Sequence, residues 1–437
     1  MEKLFKLKEN GSSVRTELVA GLTTFMTMAY VLAVQPAAIC GGDAAVVDVN
    51  SVVISKSAIM ISCALVSGLI TMLMAFYTNL PFALSTGMGS NFILGAMIQS
   101  QAISFGSAML ITLVSGIIFV ALTVFGLRDL IVRVIPKNLK IAISASIGFF
   151  IAYLGFKNSG IGSFANGIAL GDITAPAVLL SIGGLLLMIV LNALNVKGAI
   201  LISILAITLI GIPCGVTHIS GVAAVPDFSD LSNVMLNFDL SNVFTASGLI
   251  LVFVCFFGDF FSTLGTVLAV AGRANMLDEN GNLPGIERPF LVDAIGTCVG
   301  ALTGNTTVTT YVESTSGVEA GGRSGLTSLV TGVMFLLTVF LAPLFVAIPY
   351  CATGPALIYV GFLMLKGFVD IDFSSFDECI APCVMLMFTA FTGSITNGLG
   401  AGIIVHVLVK LVKGRAKDVH PIMYVLCALM VLYFIVG

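Results

Sequence analysis

The sequence predicts an all-α polytopic membrane protein with about 14 transmembrane spans. Hydrophobic residues make up 58% of the 437 residues and charged residues only 9%, whereas a soluble domain carries about 25% charged residues. Apolar runs recur from Leu18 almost to the end of the chain, without the alternation of short β-barrel strands. The 46 glycines suit closely packed and interrupted helices.

The apolar runs divide into two sets, and each run has about the length of a full or an interrupted span. The first set lies at 17–39, 53–76, 80–99, 103–126, 139–157, 174–194 and 198–213. The second set lies at 246–272, 288–303, 304–320, 325–347, 350–367, 378–394 and 396–412. We therefore expect a first repeat over 1–213, an extracytoplasmic loop over 214–244 and a second repeat over 245–437. The apolar stretch 421–436 fits either an additional span or an interfacial helix.

The basic residues indicate the orientation of the spans. With the N-terminus in the cytoplasm, only Lys56 and Lys157 of the 19 Lys and Arg residues lie at the outer ends of spans. The loop 214–244 contains aspartates and no Lys or Arg. This bias follows the positive-inside rule, and no removable signal peptide is expected at the N-terminus. We expect a multi-pass protein of the cell (plasma or inner) membrane with a cytoplasmic N-terminus.

Short matches between the two halves indicate an internal duplication. Pro136 is followed by Gly148-Phe149 at the same spacing with which Gly361-Phe362 follows Pro349. Because each half has an odd number of expected spans, the second half enters the membrane from the opposite face. The sequence therefore predicts inverted repeats, an architecture of many secondary transporters.

An acid lies in the middle of the apolar run 249–272. An ionised carboxylate at the bilayer centre costs roughly 2.5–3.5 kcal/mol on insertion scales, so Asp259 requires a polar environment. Ser262, Thr263 and Thr266 follow at helical spacing and share one face with it. Such a face is expected to line a bundle interior or a watery cavity. A purely structural pairing of Asp259 with a neighbouring helix is the alternative.

The third run of each half is interrupted. In the first, Pro81, Gly87 and Gly89 discourage a continuous helix, and in the second, 306–310 is rich in β-branched residues that favour extended backbone. Extended backbone at membrane depth persists only where it is buried in protein or lines a cavity. Two such segments at corresponding places indicate a substrate site.

Glu313 is expected in the first turn of a half-helix that follows the second interruption. Its carboxylate either caps free N–H groups of that helix or accepts N–H groups of a bound ligand. In the second case, Glu313 and Asp259 form a two-acid site.

Other functional classes lack support in the sequence. The nine cysteines show no metal-binding spacing and suit apolar packing, so we expect no metal and no cofactor. No GxxxxGK[ST] loop or nucleic-acid motif is present. An intramembrane aspartyl protease needs two aspartates that share a proton, and no Tyr-Asp motif accompanies the Gly258-Asp259 pair. The chain is therefore not expected to be an enzyme.

Several long motifs resemble those of a known family. They are FKLKENGSSVRTELVAGLTTFMTMAY at 5–30, GMGSN at 87–91, DFFSTLGTVLAVAGRANMLDENGNLPGI at 259–286 and DAIGTCVGALTGNTTVTTYVES at 293–314. The chain resembles the nucleobase–cation symporters of the nucleobase–ascorbate transporter superfamily, in particular the adenine/guanine/hypoxanthine (azaguanine-type) permease branch.

The resemblance implies a fold and an activity. It implies a core domain from spans 1–4 and 8–11 (about 17–126 and 246–347) and a gate domain from spans 5–7 and 12–14 (about 139–213 and 350–412). It also implies proton-coupled uptake of purine nucleobases such as adenine, guanine and hypoxanthine, often by a homodimer in the lipid bilayer. Asp259 and Glu313 match the binding acids of the family, and Asp259 is expected to couple the proton. The expected substrate-binding residues are Glu313, Asp259, Ser262, Gly87, Met88, Gly89, Thr310 and Tyr311.

The sequence departs from the branch near the expected pocket. Ser262 replaces a second acid, Ser85-Thr86 replaces an Ala-Pro pair, and Ser90 stands where Leu is common. These departures keep another flat heterocycle, such as uracil or xanthine, as an alternative substrate. An anion carrier on the same fold is a further alternative, which the negative charge of Glu313 opposes.

Overall fold

The fold is almost entirely helical. A computed structural model describes residues 2–41, 43–126, 136–164, 169–196, 198–218, 221–278 and 283–436. In chain order, the helices are α1 (Glu2–Phe5), α2 (Val14–Met28), α3 (Val31–Cys40), α4 (Lys56–Thr78), α5 (Met88–Gln99), α6 (Phe105–Val124), α7 (Lys137–Asn158), α8 (Pro176–Ala193), α9 (Ala199–Gly211), α10 (Leu231–Val234), α11 (Ala246–Arg273), α12 (Glu287–Leu302), α13 (Ser314–Glu319), α14 (Gly325–Leu337), α15 (Ala342–Val346), α16 (Tyr350–Met364), α17 (Phe376–Thr392), α18 (Ile395–Val412) and α19 (Pro421–Val436). Three 3-10 segments follow α14, α16 and α18, at Thr338–Leu341, Leu365–Asp370 and Ala416–Asp418.

The short strands form three two-stranded antiparallel sheets within the described residues. The pairs are β1 (Ala45–Val47) with β2 (Val53–Ser55), β3 (Leu84–Thr86) with β6 (Val308–Thr310), and β4 (Gly162–Ser163) with β5 (Ala169–Leu170).

Seven helical segments in the described part of the chain are long and apolar enough to cross a membrane. They are Val14–Cys40, Lys56–Thr78, Phe105–Val124, Ile141–Asn158, Pro176–Ala193, Ser247–Arg273 and Gly325–Val346. Shorter apolar helices accompany them in the later part of each half. The predicted helical membrane architecture is confirmed at this level.

The first span is divided at a turn. Helices α2 and α3 are separated by Ala29 and Tyr30, and the amide of Leu32 bonds to the carbonyl of Ala29 at 3.2 Å. The sequence predicted a continuous apolar run here, because neither turn residue is a helix breaker by type. The turn places the ring of Tyr30 in the protein interior, where it is 1% exposed.

The two interrupted spans meet as paired strands. β3 and β6 run antiparallel with Ser85 opposite Thr309, and all residues of both strands are buried. The pairing continues beyond the strands, because Gly87 N donates to Thr307 O at 2.6 Å and Tyr311 N donates to Ala83 O at 3.0 Å. Each interruption therefore satisfies the backbone groups of the other, as burial away from water requires. The prediction of extended segments followed by half-helices is confirmed by β3–α5 and β6–α13.

Close helix crossings join the first half of the chain to the second. Gly68 of α4 and Gly332 of α14 face each other where the two helices cross. A Cβ on Gly68 would lie 2.9 Å from the carbonyl oxygen of Gly332, and a Cβ on Gly332 would lie 2.8 Å from the carbonyl oxygen of Gly68. Where α7 crosses α16, a Cβ on Gly361 would lie 2.4 Å from the carbonyl oxygen of Gly148. Glycine is required at these crossings because any side chain would separate the helices.

The stretch 421–436, whose role the sequence left open, forms helix α19. One face is buried, with Met423 1% and Met430 2% exposed, and the opposite face carries Val425 at 60%. Gly400 of α18 accommodates this helix, since a Cβ there would lie 2.9 Å from the ring of Phe434. Its 16 residues correspond to about 24 Å, which is shorter than the roughly 30 Å hydrocarbon core of a bilayer.

Candidate functional site

The site is built around strand β6, which lies against helices α11 and α12. Asp259 projects from α11 and is 5% exposed. Its Oδ2 accepts a hydrogen bond from the Thr297 hydroxyl of α12 at 2.7 Å. The other oxygen, Oδ1, has no hydrogen-bond partner among the described residues. Thr297 also accepts from Val308 N at 3.0 Å, so it joins Asp259 to the strand.

A second buried aspartate, Asp293 of α12, holds the same strand. Its Oδ1 accepts from the amide of Thr310 at 2.7 Å and from the hydroxyl of that residue at 3.0 Å. Its Oδ2 accepts from the Thr263 hydroxyl of α11 at 2.7 Å. The carboxylate is fully buried. Asp293 therefore binds β6 to both helices that flank it.

Sequence reasoning did not select Asp293, although a signal was present. It is an acid within an apolar run, and Thr297 follows one helical turn later. This is the same pattern, an acid with a hydroxyl on one helical face, that drew attention to Asp259.

Glu313 begins the half-helix α13 but does not cap it. It occupies the N-cap position, and its side chain makes no capping hydrogen bond. The capping alternative is therefore wrong. Instead, Oε1 accepts from the Tyr30 hydroxyl at 2.7 Å. The carboxylate thus faces the turn between α2 and α3.

Tyr30 is a further residue that sequence reasoning missed. An uncharged tyrosine within an apolar run carries no energetic marker of function, because aromatic rings pack readily in membrane helices. Only the fold brings its hydroxyl to Glu313, 283 residues later in the chain.

Gly87, Met88 and Gly89 form the start of half-helix α5. Gly87 is its N-cap, with extended backbone and no side-chain cap. A Cβ on Gly87 would lie 2.6 Å from the Thr307 hydroxyl, and one on Gly89 would lie 3.1 Å from Cγ2 of Ile147. The two glycines therefore allow the helix start to lie close to the residues preceding β6 and to α7. An N-terminus of this kind offers free N–H groups to a ligand.

The remaining predicted residues have different surroundings. Thr310 bonds to Asp293, and the Tyr311 hydroxyl donates to the carbonyl of Thr86 in strand β3. Both side chains stabilise the strand pair through these bonds. Ser262 is half-buried beside Thr263, and its side chain makes no hydrogen bond within the residues that the structure describes.

The hydroxyl groups that depart from the family pattern bond within the protein. Ser85 pairs with the Ser67 hydroxyl of α4 at 2.7 Å, and Ser90 pairs with the Thr307 hydroxyl at 2.6 Å. The Thr86 hydroxyl accepts from the side chain of Asn91 at 3.4 Å. These side chains therefore strengthen the scaffold of the two interruptions.

The arrangement is suited to recognising hydrogen-bond donors. Asp259 and Asp293 lie on the two helices that flank β6, and Glu313 follows β6 by three residues. Ionised carboxylates only accept hydrogen bonds. None of them pairs with a Lys or Arg in the described part of the chain. The described residues contain no cluster of His, Cys, Asp and Glu that could hold a metal ion.

Comparison with known proteins defines the class of this fold and site. A family model described as "Permease family" matches residues 15–400. The chain is 35% identical over 439 residues to the adenine permease AdeQ of Escherichia coli (strain K12), covering 100% of this chain and 96% of AdeQ. It is 35% identical over 441 residues to the guanine/hypoxanthine permease PbuG of Bacillus subtilis (strain 168), covering 100% and 99%.

A solved structure shows the same fold at low sequence identity. The transmembrane domain of the cyanobacterial bicarbonate transporter BicA aligns with a TM-score of 0.62 and 14% identity, covering 89% of this chain and 97% of that domain. The chain is thus an integral membrane transporter and not an enzyme. It belongs to the permease family, within the group that includes the adenine and guanine/hypoxanthine permeases.

Proposed function

We propose that this protein takes up purine nucleobases, namely adenine, guanine or hypoxanthine, across the plasma membrane together with protons. The observation that carries the proposal is the pair of acids, the buried Asp259 and the half-buried Glu313, that lie at the meeting point of two interrupted spans without a Lys or Arg partner among the described residues. Purine bases present ring and exocyclic N–H groups that carboxylates accept. The names of the full-length relatives support the same substrate class.

In this proposal, each part of the site has a separate task. Glu313 accepts N–H groups of the base, and the free N–H groups at the start of α5 bind an acceptor edge of it. Thr310 and Tyr311 shape the pocket wall, and Ser262 lines its half-buried side. Asp259 carries the proton, because its Oδ1 lacks a partner in the described residues and protonation removes a buried charge.

The proposal includes the architecture expected from the sequence. It comprises 14 spans in two inverted repeats, a core domain that moves the site past a gate domain, a cytoplasmic N-terminus and assembly as a homodimer. The antiparallel pairing of β3 with β6 supports the inverted relation, since corresponding segments of the two halves meet about one point. The fold shared with the BicA domain supports the transporter architecture.

Uracil or xanthine remains the second candidate substrate. Ser262 stands where a second acid is usual in the branch, and it is half-buried beside the proposed pocket. Uracil and xanthine carry two carbonyl groups, and a serine hydroxyl can donate to a carbonyl group whereas an ionised carboxylate cannot.

Two substitutions test the division of tasks. Glu313→Gln places an amide donor where the base needs an acceptor, so we expect binding of labelled purine by purified protein to fall below detection.

Asp259→Asn keeps a neutral, isosteric side chain, so we expect binding to persist while uptake no longer responds to a proton gradient. Gly183→Ala, at a glycine with open space around it, is the control. Gradient-driven uptake by Asp259→Asn equal to that of the wild type would contradict the coupling role.

A further inference from the structure

The carboxylate of Glu313 is held by one side chain. Tyr30 donates its hydroxyl to Oε1 at 2.7 Å, and no other described side chain bonds to this carboxylate. The Tyr30 ring is 1% exposed and lies at the turn between α2 and α3. The hydroxyl therefore has a fixed direction, and it determines which way the plane of the Glu313 carboxylate is turned.

The first span also fixes the half-helix that carries Glu313. Helix α13 has only six residues and cannot be stable alone. The Thr27 hydroxyl lies 3.4 Å from the carbonyl oxygen of Glu313. One turn along α13, a Cβ on Gly317 would lie 2.1 Å from the Thr24 hydroxyl oxygen. The half-helix is therefore pressed directly against α2.

The far end of the half-helix is fixed by a buried acid of the same span. Glu17 of α2 is fully buried, and its Oε1 accepts from the amide of Arg323 at 2.9 Å. The Arg323 guanidinium donates to the carbonyl oxygens of Val318 at 2.6 Å and Gly322 at 2.7 Å. The bond to Val318 satisfies a carbonyl group in the last turn of α13, and the bond to Gly322 lies in the segment that follows the helix. The backbone of α13 is therefore held at both ends, and the side chain of Glu313, the residue that precedes the helix, is held separately by Tyr30.

We propose that Tyr30 is a positioning residue that sets the base selectivity of the site. By occupying Oε1 of Glu313, its hydroxyl leaves Oε2 to accept from the base in one orientation. Guanine and hypoxanthine present a ring N–H beside an exocyclic carbonyl, whereas adenine presents an exocyclic amino group beside an unprotonated ring nitrogen. A carboxylate of fixed orientation distinguishes these two patterns, and a carboxylate that rotates freely does not. This inference rests on the proposed function.

The test is Tyr30→Phe, which removes the hydroxyl and keeps the ring. Initial rates of guanine, hypoxanthine and adenine uptake give KM and kcat for each base. We expect KM for the preferred base to rise about tenfold with kcat within about twofold, since one charge-assisted hydrogen bond is lost from the binding site. We also expect the ratio of KM values for guanine and adenine to move toward one.

Two control variants separate this role from a general disturbance. Tyr424→Phe removes a hydroxyl that donates to the carbonyl of Ala416 at 2.9 Å, in the C-terminal part of the chain. Thr392→Val removes an exposed hydroxyl that donates to the carbonyl of Phe388 within its own helix at 2.6 Å. Both are expected to keep the wild-type KM ratio.

Replacement of Tyr30 by 3-fluorotyrosine keeps both the ring and the hydroxyl donor and is the second variant. We expect its KM to stay within about threefold of wild type, also if Tyr30→Phe fails to reach the membrane. A KM and a KM ratio unchanged in Tyr30→Phe, or a KM rise of about tenfold in the 3-fluorotyrosine protein, would overturn the inference. If the wild type transports none of the three bases, the proposed function fails instead, and this outcome is distinct because it needs no variant.

Discussion

At the scale of single residues, the three acids around β6 have different tasks. Asp293 uses both oxygens for three hydrogen bonds to Thr263 and Thr310, so it is occupied as a structural anchor of β6. Asp259 has one bonded oxygen and one without a partner in the described residues. Glu313 is oriented by Tyr30. Asp259 and Glu313 each have a carboxylate oxygen that no described side chain occupies, whereas Asp293 has none. Asp259 is therefore the better candidate to carry the proton, and Glu313 is the better candidate to bind the ligand.

We expect removal of the Asp293 carboxylate to lower the stability of the protein. Asp293→Ala leaves the buried amide of Thr310 and the hydroxyl of Thr263 without their acceptor. An unsatisfied buried donor costs about 1–3 kcal/mol, so we expect a clear fall in Tm of the detergent-purified protein. Asp293→Asn keeps one carbonyl oxygen for Thr310 and should lower Tm less. A Tm of Asp293→Ala equal to that of the wild type would show that β6 is held by other contacts.

The acids of the site differ in how far the sequence could predict them. Asp259 and Glu313 were predictable, because a charge in an apolar run is costly and therefore conspicuous. Asp293 offers the same signal. Tyr30 does not, because a hydroxyl becomes functional only when the fold supplies its partner. The pairing of Ser85 with Thr309 was also beyond the sequence, since the β-branched residues predict extended backbone but not the strand with which it pairs.

At the scale of elements, glycine crossings determine how closely the two halves approach. The Gly68 and Gly332 backbones are in direct contact between α4 and α14, and α14 begins directly after the segment that Glu17 fixes. Both helices contact the first interruption, because the Thr71 hydroxyl of α4 donates to the carbonyl of Leu84 at 3.1 Å and the Ser328 hydroxyl of α14 donates to that of Phe82 at 2.8 Å.

We expect a larger residue at one of these glycines to push α4 and α14 apart. In Gly332→Ala, the added methyl would lie 2.7 Å from Cγ of Met72 and 2.8 Å from the Gly68 carbonyl oxygen. Overpacking of this kind costs about 1–3 kcal/mol, so we expect a lower Tm. Gly183→Ala, which meets nothing within 4 Å, should raise or preserve Tm because alanine favours the helix. Equal Tm values for the two variants would contradict the close crossing.

The loop before α11 is fastened by an acid, Asp239. Its Oδ2 accepts from the hydroxyl of Ser104 at 2.5 Å, from that of Ser241 at 2.7 Å and from the side-chain amide of Asn50 at 3.0 Å. The hydrogen bond from Ser104, followed by those from Ser241, holds the pKa of this carboxyl well below its usual value. The loop thus joins the start of α6 to the segment 48–52.

This shift predicts a dependence of stability on pH. Because the pKa of Asp239 is lower in the folded state, its contribution is complete above the unfolded pKa of about 3.9 and declines as pH falls below that value. We expect Tm of Asp239→Asn to be lower than that of the wild type at pH 7 and the difference to shrink as pH is lowered below about 4. A difference in Tm between the wild type and Asp239→Asn that grows on acidification would contradict a lowered pKa of Asp239 in the folded state.

At the scale of the whole molecule, two interrupted spans from different halves form one paired unit in the interior. Side chains of α4, α11 and α12 bond to its two strands and hold that unit in place. The sequence predicted the boundaries of most elements, because apolar length and helix breakers are local properties. It predicted less about which elements meet, since contacts between distant segments depend on the completed fold. We infer that this unit carries a purine base and a proton together.

The most direct test is uptake of labelled adenine, guanine and hypoxanthine by proteoliposomes containing the purified protein, with an imposed inward proton gradient. Xanthine and uracil are measured in parallel, and a protonophore or protein-free liposomes provide the controls. We expect saturable uptake of at least one purine, and we expect the gradient to stimulate this uptake and the protonophore to abolish it. Absence of purine uptake, or purine uptake that is equal with and without the gradient, would contradict it.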